Sequence, residues 1–158
     1  MRRGTGAIFL TFLLAYVLEV IALPDWAEPA RPCWLALVLL YWVIAVPHRV
    51  GVIAAWVSGL FLDVVLGDVL GQNAVALALI AYVTFVLHLR IRVFPVWQQC
   101  LSIIVLVGIY QLVTLLIQRT IHVTPWTMSY WLGAIMSGLF WPWVLVCLRW
   151  MRHRYRIE

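Results

Sequence analysis

Two long stretches without a charged side chain constrain the fold of this chain most strongly. Residues 93–118 and 120–148 carry no Asp, Glu, Lys or Arg over 26 and 29 residues, respectively. A helix needs only about 20 apolar residues to cross the hydrocarbon core of a bilayer. Soluble domains are about one quarter charged, whereas this chain of 158 residues is 66% hydrophobic and 11% charged. The sequence therefore predicts an integral membrane protein and excludes a soluble domain, a disordered chain and a fibrous repeat.

Charges and prolines divide the chain into six apolar segments. The segments are too long and too continuous for barrel strands with alternating polarity, so we expect helices. The sequence thus predicts an all-α protein in which a single transmembrane domain, residues 1–158, forms a compact bundle of six helices. The predicted spans cover about 5–23, 33–47, 50–66, 74–89, 96–118 and 127–148, and a basic cytoplasmic tail follows at 149–158.

The distribution of arginine predicts the orientation of these spans. All 11 basic residues are Arg. With both termini in the cytoplasm, only Arg31 and Arg119 fall outside, and the other nine fall inside, as the positive-inside rule requires. Removing the short second span would place Arg49 on the wrong side together with Arg90 and Arg92, so the count favours six spans over five. Attraction to anionic lipid headgroups accounts for the basic tail, and nucleic acid is not an expected partner.

Residues that could carry catalysis or bind a metal are not grouped in the sequence. The four histidines have no second ligand at helical spacing, which argues against a metal site. There is no Gly-rich phosphate loop and no nucleophile beside a base. We therefore expect a protein that is not an enzyme and that needs neither a metal ion nor an organic cofactor.

Two carboxylates lie inside predicted spans. Counted at about 1.5 Å per residue, Glu19 and Asp63 reach similar depths in the outer half of the bilayer. An acidic side chain at that depth is costly and is a candidate for a functional site. One interpretation is a site for a substrate or a proton. The other is that each acid pairs with Arg31 or Arg119, or caps a neighbouring helix.

Small residues recur at helical spacing in two predicted spans. Gly51, Ala55 and Gly59 follow one another every four residues in the third span, and Asp63 continues the same stripe. Gly133 and Ser137 have the same spacing in the sixth span. Such faces let helices approach closely, so they are candidates for packing within the bundle or against a partner helix.

The fifth and sixth spans carry two further features. Gln111 and Thr114 belong to a polar stripe on the fifth span, which predicts interhelical hydrogen bonds or the wall of a cavity. With Glu19 and Asp63 they would form one buried polar layer. Pro142 lacks an N–H group and therefore predicts a kink in the last span.

Four motifs in this chain resemble those of the MreD family of rod shape-determining proteins of Gram-negative bacteria. They are YWVIAVPHRV at 41–50, GLFLDVVLGDVLG at 59–71, WQQ at 97–99 and GLFWPW at 138–143. The motifs occur in the same order and at compatible spacing, and the similarity covers nearly the whole chain.

This resemblance implies a function and a set of partners. MreD-like proteins are inner-membrane subunits of the cell-elongation machinery, which directs peptidoglycan synthesis along the side wall. The implied partners are an MreC-like bitopic protein, the RodA glycosyltransferase and a class B penicillin-binding protein, with MreB filaments linked indirectly. The resemblance also implies a fold similar to the six-helix substrate-binding subunits of energy-coupling-factor transporters.

Two functional hypotheses follow from these observations. The first is a scaffold or regulatory subunit that binds partner transmembrane helices. A second copy of this chain is also a possible partner, which would give a homodimer. Its candidate contacts are the small-residue faces, with His48, Arg49, Arg90 and Arg92 as cytoplasmic docking points. The second is a membrane subunit that binds a small molecule or a lipid in a polar cavity near the outer leaflet. The cavity would be lined by Glu19, Asp63, Asn73 and Gln111.

Overall fold

Six α-helices account for most of the residues that the structure describes. The structure is a computed structural model. It describes residues 2–121 and 127–155, and the side chains are described from Gly4 onward. Over this part of the chain there is no β-strand. The helices are α1 (Arg2–Val20), α2 (Trp34–Ala45), α3 (Val52–Leu66), α4 (Gln72–Val93), α5 (Val96–Ile121) and α6 (Leu132–Arg154). The prediction of an all-helical chain is confirmed.

Proline and glycine set several helix ends. Residues before proline disfavour the helical conformation, and α2 and α4 end just before the prolines at positions 47 and 95. The turn between α3 and α4 depends on Gly67 and Gly71, which have φ values of 70° and 93°. Only glycine adopts this left-handed conformation without strain. The turn therefore brings the end of α3 directly beside the start of α4.

The short helix α2 is the central helix of the bundle. Residues 35–44 are all buried, and α2 packs against α1, α4 and α6. A helix that is apolar on every side is stable when it is enclosed. At 12 residues, α2 is about 18 Å long, which is less than the roughly 30 Å of a hydrocarbon core. Because protein rather than lipid surrounds it, its length need not match the bilayer.

Helices that follow one another in the chain run in opposite directions. Trp42 of α2 donates to Thr11 of α1, and Trp141 of α6 donates to Gln99 of α5 over 3.3 Å. Helices α3 and α4, α4 and α5, and α5 and α6 pack side by side. By contrast, α1 touches α3 only sparsely and is held mainly by α2.

This alternation separates the arginines into two groups. The starts of α1, α3 and α5 and the ends of α2, α4 and α6 meet at one end of the bundle, which we call the basic end. The Tyr41 side chain near this end has Arg92, Arg149 and Arg152 within electrostatic range. The arginines described at the basic end are Arg49, Arg90, Arg92, Arg149, Arg152 and Arg154, whereas Arg31 and Arg119 lie toward the opposite end.

Among the residues that the structure describes, four helical stretches are long and apolar enough to cross a membrane. They are Glu28–Ala45, Gln72–Val93, Val96–Ile121 and Met128–Arg154, and the shorter apolar helices are Gly4–Val20 and Val52–Leu66. Six crossings therefore stay a prediction. The observed helices also differ from the predicted spans at their ends, since α6 continues through the start of the predicted tail to Arg154. Residues 156–158 of that tail lie outside the described residues.

Candidate functional site

The Asp63 carboxylate binds the start of α4. Its Oδ2 accepts the Gly71 N–H over 2.9 Å, and its Oδ1 accepts both the Asn73 N–H and the Asn73 side-chain amide over 2.9 Å each. The side chain is only 1% exposed. The first N–H groups of a helix have no partner within the helix, and the helix dipole favours an anion there. Asp63 therefore caps α4 from α3.

The Asp63 bonds extend to α5 through Asn73. The Tyr110 hydroxyl donates to Asn73 Oδ1 over 2.5 Å, and Asn73 Nδ2 also reaches Asp68 Oδ2 over 3.2 Å. Helices α3, α4 and α5 are thus connected by one group of hydrogen-bonded side chains. Tyr110 did not stand out in the sequence because a tyrosine in an apolar span gives no pattern of its own.

The Glu19 carboxylate, near the end of α1, makes an equivalent bond to the start of α2. Its Oε2 accepts the Leu35 N–H over 3.3 Å, and Leu35 is the second residue of α2. Arg31 lies within electrostatic range of Glu19 and donates to the Leu18 carbonyl over 3.1 Å. Of the interpretations open for Glu19, the structure shows a bond to a neighbouring helix end with an arginine nearby.

The small residues of α6 also hold the start of α2. Ser137 accepts the Cys33 N–H over 2.9 Å and donates to the Gly133 carbonyl over 2.7 Å. A methyl group at Gly133 would lie 2.5 Å from Gln111 Nε2 and 3.0 Å from the Arg31 carbonyl. Gly133 and Ser137 therefore face the interior of this chain.

The stripe on α3 faces inward as well. A Cβ atom at Gly59 would lie 2.3 Å from Ala74 Cα, and Ala55 is fully buried. Gly51 is the residue before α3. A Cβ atom there would have only one close neighbour, the Pro47 carbonyl oxygen at 3.9 Å. The small-residue face of α3 is thus used for packing on α4 within this chain.

Gln111 and Thr114 bind the segment that precedes α6. Gln111 Nε2 donates to the Tyr130 carbonyl over 3.2 Å, and the Thr114 and Tyr130 hydroxyls lie 3.0 Å apart. The oxygen Gln111 Oε1 is buried without a hydrogen-bond partner among the described residues, as is Gln72 Oε1. The polar stripe of α5 therefore forms interhelical hydrogen bonds, and Gln111 Oε1 is its one buried acceptor without a partner among the described residues.

The four side chains expected to line a polar cavity bind each other or the backbone. Asp63 and Asn73 bind one another, Glu19 binds the start of α2, and Gln111 binds the segment before α6. In the described ranges 2–121 and 127–155, no three His, Cys, Asp or Glu side chains are placed to hold a metal ion. The arrangement joins helix ends, and these pairings weigh against a small-molecule cavity in this layer.

The predicted docking points lie at the basic end. His48 and Arg49 are exposed in the turn between α2 and α3, and Arg90 and Arg92 lie in the last turn of α4. Pro142 lies inside α6, which stays helical through it. The kink at this proline stays a prediction.

A lateral groove opens between α1 and α3, which touch only sparsely. Its volume is about 1090 Å³, and His48 and Arg49 lie among its lining residues at the basic end. Sequence reasoning missed the groove, since the separation of two helices leaves no pattern in either one. The larger apolar side chains that line it are Phe9, Phe12, Phe61, Val65, Tyr82 and Phe85.

Comparisons with known proteins extend over all six helices. The family model described as rod shape-determining protein MreD matches residues 2–151. The rod shape-determining protein MreD of Haemophilus influenzae is 35% identical over 147 residues, which cover 93% of this chain and 91% of that protein. No solved structure matches, so the expected likeness to energy-coupling-factor subunits stays a prediction. The resemblance in the four motifs is confirmed, and the chain belongs to the MreD family of rod shape-determining proteins.

Proposed function

We propose that this protein is a non-enzymatic scaffold or regulatory subunit of the bacterial cell-elongation complex in the inner membrane. Its partners would be the transmembrane helices of an MreC-like protein and of the RodA and penicillin-binding-protein synthase, with MreB linked indirectly. The family supports the role in rod shape determination. The scaffold role is supported by the many large apolar side chains exposed on the outer helices.

The observation that carries this proposal is the exposure of large apolar side chains on the outer helices. Leu101 of α5, Leu139 of α6 and Trp143 of α6 are each more than half exposed. Three described connections are short: residues 46–51 between α2 and α3, 67–71 between α3 and α4, and 94–95 between α4 and α5. Little of the described chain would extend beyond a bilayer, so partner recognition would occur mainly between helices in lipid.

The proposed topology has six crossings and both termini in the cytoplasm. The alternating helix directions support this arrangement, because they bring the start of α1 and the end of α6 to the same end. The concentration of arginine at that end supports its cytoplasmic location. The short helix α2 would cross inside the protein, where the thickness of the surrounding lipid does not act on it.

Site-specific photocrosslinking in cells tests the scaffold function. A photoreactive residue would replace Leu101 or Leu139, which face outward, or Ser137, which is fully buried, as the matched control. We expect adducts with an MreC-like protein or with a synthase subunit from an outward position and not from position 137. If variants that sustain rod shape gave no such adduct from positions on any lipid-facing helix, the proposal would be wrong.

A further inference from the structure

The groove between α1 and α3 has walls of hydrocarbon. Phe9 and Phe12 of α1 form one side, and Phe61 and Val65 of α3 form the other. Phe9 is 74% exposed and Phe61 is 63% exposed, so these rings are not covered by this chain. In a bilayer such a groove is filled by lipid chains or by another helix.

Two polar side chains that line the groove, Tyr16 and Ser58, are paired with backbone carbonyls. The Tyr16 hydroxyl donates to the Ser58 carbonyl, and the Ser58 hydroxyl donates to the Ala55 carbonyl over 2.9 Å. Of the lining side chains away from the basic end, Tyr82 is the other polar one, and it is 58% exposed among apolar walls. The charge that lines the groove lies at the basic end, where Arg49 is exposed together with His48 and Thr5.

We propose that the groove binds one anionic phospholipid, with its acyl chains between α1 and α3 and its phosphate beside Arg49 and His48. Charge complementarity at the basic end selects the headgroup, because each Arg near a membrane surface attracts anionic lipid. The apolar walls hold the chains. This inference requires only that the chain lies in a bilayer, and it does not depend on the scaffold function.

A partner helix fits the groove less well than a lipid. Close helix packing depends on a continuous face of small residues. Here the large Phe9, Phe61 and Tyr82 lie among the small lining residues Gly51, Ala54 and Ser58. In addition, partner helices carry basic residues on their cytoplasmic side, and these would repel Arg49.

Two substitutions test separately how the lipid headgroup and the acyl chains contribute to binding. Arg49→Gln removes charge at the end of the groove and leaves its walls intact. Val57→Trp fills the middle of the groove, since Val57 lines it and is 43% exposed. Arg154→Gln is the matched control, because it removes an arginine at the same end of the bundle that does not line the groove.

Native mass spectrometry of the purified full chain in mild detergent measures the binding. The probes are phosphatidylglycerol and phosphatidylethanolamine with identical acyl chains. We expect the wild-type protein to prefer phosphatidylglycerol, and Arg49→Gln to weaken phosphatidylglycerol binding about fivefold, the effect of one arginine at a membrane surface. Val57→Trp should lose both lipids, and Arg154→Gln should match the wild type.

Three outcomes would overturn the proposal. They are equal binding of the two lipids by the wild type, an equal loss in Arg49→Gln and Arg154→Gln, and full binding in Val57→Trp. If Val57→Trp does not fold, judged by its elution profile and thermal midpoint, Ile53→Trp takes its place, since Ile53 lines the groove and is 80% exposed. A photoreactive residue at position 57 should crosslink to lipid in cells, and a protein adduct there would show a partner helix instead.

Discussion

At the scale of single residues, Glu19 and Asp63 perform the same task on two helices. Each accepts the N–H of the second residue of its neighbour, Leu35 in α2 and Asn73 in α4. No water reaches such groups in a bilayer core, so an unpaired N–H there would be costly. The sequence predicts the shared depth of the two acids. It could not identify the bonded partners, because each acid and its N–H belong to different helices.

We expect Asp63→Ala to destabilise the protein strongly. The substitution leaves the Gly71 and Asn73 N–H groups without an acceptor, and the Asn73 side-chain amide keeps only Asp68. Each unpaired buried group costs about 1–3 kcal/mol. The measurement is the thermal midpoint of the purified protein in detergent. Asp25→Ala, on an exposed loop residue, should leave the midpoint unchanged. Wild-type stability of Asp63→Ala would contradict the capping role.

At Glu19, the conservative substitution tests whether hydrogen bonding or charge matters. Glu19→Gln retains an oxygen that can accept the Leu35 N–H, whereas Glu19→Ala leaves this group unpaired at a cost of about 1–3 kcal/mol. We expect Glu19→Gln to keep rod shape and a thermal midpoint near that of the wild type, and Glu19→Ala to lower the midpoint. A loss of rod shape in a stable Glu19→Gln protein would instead indicate a role for the charge.

At the scale of helices, close packing within the chain accounts for the small-residue faces. Gly59 allows α3 to contact the backbone of α4, and Gly133 makes room for Gln111. The spacing predicts a close approach, but the same physics serves a neighbour in the same chain or in another chain. Sequence reasoning could therefore locate the faces without assigning their neighbours. It also predicted a short second span without showing that α2 is enclosed.

Gly59→Ala should separate α3 from α4. The added Cβ would lie 2.3 Å from Ala74 Cα and 2.6 Å from Ala74 N, which are backbone atoms and cannot rotate away. Overpacking of this kind costs about 1–3 kcal/mol or more, so we expect a clearly lower thermal midpoint. Gly108→Ala is the matched control, because the Cβ added there would lie 3.8 Å from its nearest neighbour, a side-chain atom of Trp131. Equal midpoints for the two variants would argue against this contact.

At the scale of the whole molecule, alternating helix directions place the described loops and arginines at two ends. The apolar runs and the positions of arginine were sufficient to predict both the helices and this separation. The groove could not be predicted, because it depends on the distance between α1 and α3. That distance follows from how α1 packs on α2 and how α3 packs on α4, and from no local pattern in either α1 or α3.

Thiol labelling in intact cells tests the proposed topology. The starting variant has Cys33, Cys100 and Cys147 replaced by serine, and a single cysteine then replaces Trp26 or His48. Trp26 is 84% exposed at the end opposite the basic end. We expect a membrane-impermeant reagent to label Trp26→Cys in intact cells and His48→Cys only after the membrane is opened. The reverse pattern would place the basic end outside.

The enclosure of α2 also has a consequence for biosynthesis. Because α2 packs on α4 and α6, its final surroundings are incomplete until the ribosome has made α6. From Ala45 to Arg154 this requires 109 further residues (154 − 45), or roughly 5–20 s at about 5–20 residues per second. During that interval the shortest helix of the protein stands beside lipid or the insertion machinery. Its uninterrupted apolar sequence therefore has to hold it in the membrane before the bundle exists.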